Sequence, residues 1–257
     1  PDAAHLDAVR RTVTADGIYV LLVHLSWWDE GGPGALVSAV ASRFHHVQLW
    51  VPPSGGDSII IVAGANPPRL ASLEDRFARV AGPMRALGMG SAGALAGFAV
   101  GDRGTALAWG SGRALAPADR LGASPFGRPV LHLADLADKV AAPSALWDLT
   151  GASESVASLS SRIEGRRLFL ALLGSASRGD MEGVFAAAHD LVEQEGDLAT
   201  QALDALIEPH MLQAREALSL AAREGMTSSH WDDAQRFATT ARMLSPRSPQ
   251  PPLVLGE

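Results

Sequence analysis

The chain of 257 residues contains no cysteine. Disulfide bridges, zinc sites built on cysteine and thiol nucleophiles are therefore excluded. A chain without cysteine is typical of a reducing compartment, in which thiols are not needed as cross-links. The composition therefore predicts a cytoplasmic protein.

Concentrated positive charge and long apolar runs are missing as well. The net charge is −7 and Lys139 is the single lysine, whereas a nucleic-acid surface needs clustered cations. No stretch has the ~18 unbroken apolar residues of a membrane helix. The sequence thus predicts neither a nucleic-acid partner nor a membrane span.

Catalytic and metal-binding motifs are absent too. There is no HExxH pattern, and the adjacent His45 and His46 would point to opposite sides of a strand. No Ser-His-Asp arrangement can be proposed from the spacing of the residues. We therefore assign no catalytic residue and no metal ligand.

Apolar patterning in the first 65 residues predicts a mixed α/β structure. Hydrophobic residues make up 47% of the chain, enough for a substantial core. Helical spacing marks Asp2–Val13 and Ala35–Phe44. The run Ile18–Leu25 predicts a strand buried on both faces. His46–Val51 and Ser58–Ala63, separated by a Pro- and Gly-rich turn, predict a β-hairpin.

The remainder of the chain is helical by pattern. A helix is predicted for Leu70–Leu87, with a kink at Gly82-Pro83. Two helical hairpins are predicted further on: Arg167–Ser175 with Met181–Glu193, and Leu212–Glu224 with Trp231–Leu244.

The two hairpins have features of tetratricopeptide repeats, which place small residues where two helices cross. Ala234, Ala238, Ala241 and Pro246 have the spacing of a repeat's second helix and its closing proline. An ordinary alanine-rich hairpin would show similar spacing, so both interpretations stay open.

These patterns predict a fold that is α/β plus all-α: the closing strands and hairpin of an open α/β sheet, followed by a tetratricopeptide-like helical region. The predicted units are residues 1–66 (α/β), 67–150 (mostly helical and irregular), 151–246 (helical hairpins) and 247–257 (a Pro-rich tail).

Three segments within Leu6–Gly64 carry a family resemblance. They read LDAVRRTVTADGIYVLLVHL, ASRFHHVQLW and SGGDSIIIVAG. Their order and spacing resemble the C-terminal part of a spermidine synthase-like domain, which has a methyltransferase-type Rossmann sheet. The resemblance covers about a quarter of the chain and implies that the sheet is a partial Rossmann-like sheet, made of its closing strands and hairpin.

The resemblance implies a transferase of the polyamine aminopropyltransferase type. The whole family protein would use S-adenosylmethionine or its decarboxylated form. The Gly-rich cofactor turn and the general-base aspartate of the family have no counterpart here, so we expect no cofactor site in this chain. On this interpretation the chain is a C-terminal portion, inactive alone.

A candidate substrate-binding rim follows the first strand, because ligands of open α/β sheets bind at the carboxyl ends of strands. Its residues are His24, Ser26, Trp28, Asp29 and Glu30. The two acids could hold a cationic amine, and an indole face could add cation–π attraction. Alternatively, the tryptophans cover the end of the sheet and the acids begin a solvated loop.

A non-enzymatic function is the second hypothesis. Here the helical region from about residue 151 is a scaffold that binds a protein partner. Self-association of the chain as a homo-oligomer is also open.

Overall fold

The structure is a computed structural model. It describes residues 2–25, 28, 32–52, 58–86, 89–110, 136–178, 180–195, 197–224 and 229–244. The strands are β1 (Ile18–His24), β2 (His46–Trp50), β3 (Ser58–Gly64) and β4 (Ala99–Gly101). The helices are α1 (Ala3–Thr12), α2 (Gly32–Ala41), α3 (Leu70–Ala86), α4 (Ala92–Ala96), α5 (Arg103–Trp109), α6 (Pro143–Leu146), α7 (Val156–Arg178), α8 (Met181–Glu195), α9 (Asp197–Glu224) and α10 (Ser229–Leu244).

The sheet has the strand order β1-β3-β2-β4, and all neighbouring strands are antiparallel. The predicted hairpin is confirmed, since β2 pairs with β3 from His46 opposite Gly64 to Trp50 opposite Ile60. Its predicted turn falls mostly on residues 53–57, outside the described residues. Because β1 and β2 are both antiparallel to β3, they run in the same direction, and α2 connects them.

The predicted strand Ile18–Leu25 is confirmed, but its burial on both faces is wrong. β1 lies at the edge of the sheet, and its side chains alternate. Val23 is 3% exposed, whereas Ile18, Val20 and Leu22 are 56%, 53% and 53% exposed. No described residue covers Val20 and Leu22 on this second face, so a predominantly apolar strand is only half buried.

One face of the sheet, the inner face, forms the main hydrophobic core. Its period-two residues include Val47, Leu49, Ile59 and Ile61, all fully buried. Helices α1 and α2 add Leu6, Leu36 and Val40 to the same cluster.

Among the described residues, cover over the opposite, outer face lies on the β2 side. A smaller cluster there contains Leu70 of α3, Leu146 of α6, Ile163 of α7 and Trp147, which follows α6 directly. Trp50 of β2 packs against this cluster. The outer face therefore has a covered half at β2 and an open half at β1.

The C-terminal helices form the two predicted hairpins, α7 with α8 and α9 with α10. Ala234, Ala238 and Ala241 of α10 are buried at 2%, 0% and 0% exposure, as expected for small residues at a helix crossing. Phe169 and Leu173 of α7 belong to the main core cluster together with the sheet. The proposed boundaries between structural units stay predictions.

The kink in α3 is also present. Pro83 lies within the helix, and Val80, one turn earlier, has the non-helical angles φ −120° and ψ 16°. Proline cannot donate the hydrogen bond to the carbonyl four residues earlier and its ring crowds that turn.

Candidate functional site

The predicted rim at the carboxyl end of β1 is described only in part. Ser26, Asp29 and Glu30 lie outside the described residues. His24 ends the strand, and its Nδ1 lies 3.1 Å from the hydroxyl of Ser58 on β3. The rim as a substrate site stays a prediction.

Trp28 packs against the main core cluster and is partly buried. Its backbone N–H donates to the carbonyl of Leu25 at 3.2 Å, closing a turn directly after the strand. The packing of Trp28 against the core agrees with the interpretation in which a tryptophan covers the end of the sheet.

A second site, missed by the sequence analysis, is a cavity of about 680 Å³ on the outer face of the sheet. Its floor is formed by Gln48 and Trp50 of β2 and Val62 of β3. The cavity is also lined by Leu73 of α3 and by Trp147, the residue after α6. The turn Ala15–Gly17 before β1 completes the lining on the β1 side.

The floor is held by a buried amide. Gln48 is 0% exposed, and its Nε2 donates to the carbonyl of Leu146 at 2.7 Å. Its Oε1 accepts from the indole N–H of Trp50 at 3.0 Å. Both ends of the amide are therefore satisfied, and the hydrogen bonds fix the Trp50 indole over the sheet.

The two indoles of the cavity are perpendicular. The rings of Trp50 and Trp147 have centroids 5.7 Å apart and an interplanar angle of 73°, the edge-to-face arrangement that aromatic quadrupoles favour. The N–H of Trp147 is buried and has no hydrogen-bond acceptor among the described residues. A buried N–H group without a hydrogen-bond acceptor is uncommon in folded proteins, so the position of Trp147 draws attention to the cavity.

Charged side chains line the mouth of the cavity. Ser72 and Arg76 lie one turn apart on α3, and Arg69 immediately precedes the helix. The Nε of Arg69 lies 3.8 Å from Asp148, and both side chains are well exposed. Hydrogen bonds from Thr150, and secondarily the charge of Arg69, hold the pKa of the Asp148 carboxyl below its ordinary value.

His46 begins β2 next to this region. Burial lowers the pKa of His46, while the charge of Asp102 and the carbonyl of Leu146 act in the opposite direction. Its Nε2 is buried and has no partner among the described residues.

Among the described residues, no three His, Asp or Glu side chains come together as a metal site. None of the described helices is long and apolar enough to cross a bilayer. Comparison with protein-family models, with curated proteins and with solved structures found no match for this chain.

Proposed function

We propose that this chain forms the closing strands of a methyltransferase-type sheet in a spermidine synthase-like protein and has no nucleoside-cofactor site of its own. The observation that carries the proposal is the strand order. β1 and β2 run in the same direction, α2 connects them, and the antiparallel β3 lies between them. A sheet of that family would end in the same order, in agreement with the resemblance of Leu6–Gly64.

The open half of the outer face supports the same proposal. β1 has no neighbour on its other side among the described residues, and Ile18, Val20 and Leu22 remain half exposed. A seven-residue strand without a charged group at a free edge is unusual, because such edges invite pairing with another strand. In the proposed protein, further strands would pair with this edge.

On this proposal the bound nucleoside would lie on the strands beyond β1. The present chain would contribute the rim around His24 and Trp28, and the acids Asp29 and Glu30 would hold the amine of the substrate. The chain alone would then be catalytically inactive.

Cofactor binding tests the second half of the proposal. Isothermal titration calorimetry with S-adenosylmethionine and with its decarboxylated form should show no saturable heat up to about 1 mM ligand. A dissociation constant of that size corresponds to a binding free energy of about −4 kcal/mol. Micromolar affinity of the folded chain for either compound would contradict the proposal.

Hydrogen exchange tests the free edge. The amides of β1 that point away from β3 should exchange rapidly, while the amides of β3, paired on both sides, should be protected. Equal protection in the two strands would mean that another part of the chain covers the edge, and the proposal would then lose its main support.

The alternative proposal is a helical scaffold for a protein partner. Its support is that Leu212 and Leu220 of α9 are 57% and 40% exposed. Its weakness is that α7 shares the main core with the sheet, so the helices do not have a separate core. A partner captured specifically by the whole chain, and lost on joint substitution of Leu212→Glu and Leu220→Glu, would favour the scaffold; capture that survives this substitution would not.

A further inference from the structure

The cavity on the outer face is separate from the predicted rim. Its lining includes Ile18, the first residue of β1, whereas the rim begins at His24, six residues further along the strand. At ~3.3 Å per residue the two positions are about 20 Å apart. A ligand in the cavity would thus not be the substrate of the proposed transferase site.

The size and lining of the cavity suit a small organic molecule. Its volume of about 680 Å³ falls within the range of roughly 300–1,000 Å³ that is typical of ligand sites. The side chains of its floor and wall are predominantly apolar, with Trp50 partly exposed beside Val62 and Leu73. Because Gln48 is 0% exposed and both its Nε2 and its Oε1 are hydrogen-bonded within the protein, the floor offers an aromatic surface and not an exposed amide.

The cavity lining contains two arginines and two acids, Arg69, Arg76, Asp16 and Asp148. The Nε of Arg69 lies 3.8 Å from Asp148, so these two charges offset each other. Arg76 lines the same mouth, is exposed and has no ion pair among the described residues. A guanidinium binds carboxylates and phosphates through two parallel N–H donors.

We propose that the outer-face cavity binds a planar aromatic molecule carrying one anionic group, with the ring against Trp50 and the anion at Arg76. The neutral part of the ligand is recognised by the apolar floor and its charge by Arg76 of α3. Asp16, which also lines the cavity, disfavours a second negative charge on the ligand.

The test uses 2-naphthoate as the probe and the six tryptophan indole N–H signals of the whole chain as reporters. In a nitrogen–proton NMR titration, the signals of Trp50 and Trp147 should shift saturably, while those of Trp109 and Trp231, which do not line the cavity, stay in place. Each signal is assigned by its loss in the corresponding Trp→Phe variant.

Two matched variants separate the role of charge from a general effect on the helix. Arg76→Gln should weaken 2-naphthoate binding about fivefold, the equivalent of one exposed ion pair. Arg79→Gln, one turn further along α3 and outside the cavity, should leave binding unchanged. Both side chains are exposed, so neither change should unfold the chain.

Two analogues check the class of ligand. Neutral 2-naphthalenemethanol should bind more weakly than 2-naphthoate and should not respond to Arg76→Gln. Cationic 2-naphthylmethylamine should bind most weakly. Absence of a saturable shift for 2-naphthoate up to about 5 mM, or tighter binding of the amine, would overturn the proposal.

Discussion

The two halves of the sheet's outer face differ in burial although they belong to one sheet. One row of neighbours across the sheet is Val20 on β1, Val62 on β3 and Gln48 on β2. The apolar Val20 is 53% exposed, whereas the polar Gln48 is 0% exposed. In this row the apolar side chain is exposed and the polar side chain is buried, which is the opposite of what side-chain type alone predicts.

This difference shows that strand pattern decides the face of a residue but not its burial. Gln48 is buried because α6 and Trp147 cover β2 and supply the carbonyl that its amide needs. Val20 is exposed because no described element packs over β1. A buried polar residue indicates that the fold supplies its hydrogen-bond partners. An exposed row of apolar residues marks a surface that no described element covers.

The largest effect is expected in the covered half, at Gln48. Gln48→Leu removes the donor to the Leu146 carbonyl and the acceptor of the Trp50 indole, leaving buried polar groups without partners. We expect a loss of about 2–4 kcal/mol in the free energy of unfolding, measured by urea denaturation. Gln213→Leu, on the exposed side of α9, is the control and should change stability by less than about 0.5 kcal/mol.

A pair of matched substitutions on β1 gives the next effect. Val23→Ala removes two methyl groups from the main core and should cost about 2 kcal/mol. Val20→Ala makes the same change on the open face of the same strand and should cost about 0.5 kcal/mol or less. Equal losses in urea denaturation would mean that the outer face of β1 is covered after all.

A smaller effect should appear as a pH dependence in the covered half. Burial lowers the pKa of His46 in the folded chain, so the unfolded chain takes up this proton more readily. Stability should therefore fall as pH drops from the ordinary histidine value of about 6.5 towards the lowered pKa of the folded state. The melting temperature of His46→Phe should decline less over that interval, and an identical decline in both proteins would refute this assignment.

Much of the local structure could be predicted from the sequence. The hairpin of β2 and β3 followed from alternating apolar residues around a turn, and the kink of α3 followed from Gly82-Pro83. These features depend on interactions between residues close in sequence. The short strand β4 (Ala99–Gly101) was missed because three small or branched residues give no periodic signal.

Features that depend on contacts between residues far apart in the sequence could not be predicted. Three arginines close in sequence, Arg162, Arg166 and Arg167, have the pattern of a solvated helix start, yet Arg166 is 1% exposed. Its guanidinium lies 4.9 Å from the ring centroid of Phe98 and 5.7 Å from that of Phe169. Helical spacing shows which face a residue occupies, but it does not show which aromatic rings the fold brings to that face.

The cavity could have been found from one sequence signal. Gln48 interrupts the apolar strand Val47–Val51, and a polar residue at such a position must either face solvent or have buried partners. Its acceptor, the carbonyl of Leu146, lies 98 residues later in the chain, so the contact itself could not be inferred.

The strand order β1-β3-β2 is tested most directly by cross-linking, because the chain has no cysteine of its own. Leu22→Cys with Ile60→Cys places two thiols on directly paired residues of β1 and β3, within the reach of a disulfide. Leu22→Cys with Trp50→Cys is the control, since β3 would separate the two thiols by two strand spacings, about 9–10 Å. Mild oxidation followed by a count of free thiols should show rapid closure of the first pair and none of the second; closure of the Leu22–Trp50 pair instead would place β1 beside β2 and contradict the account.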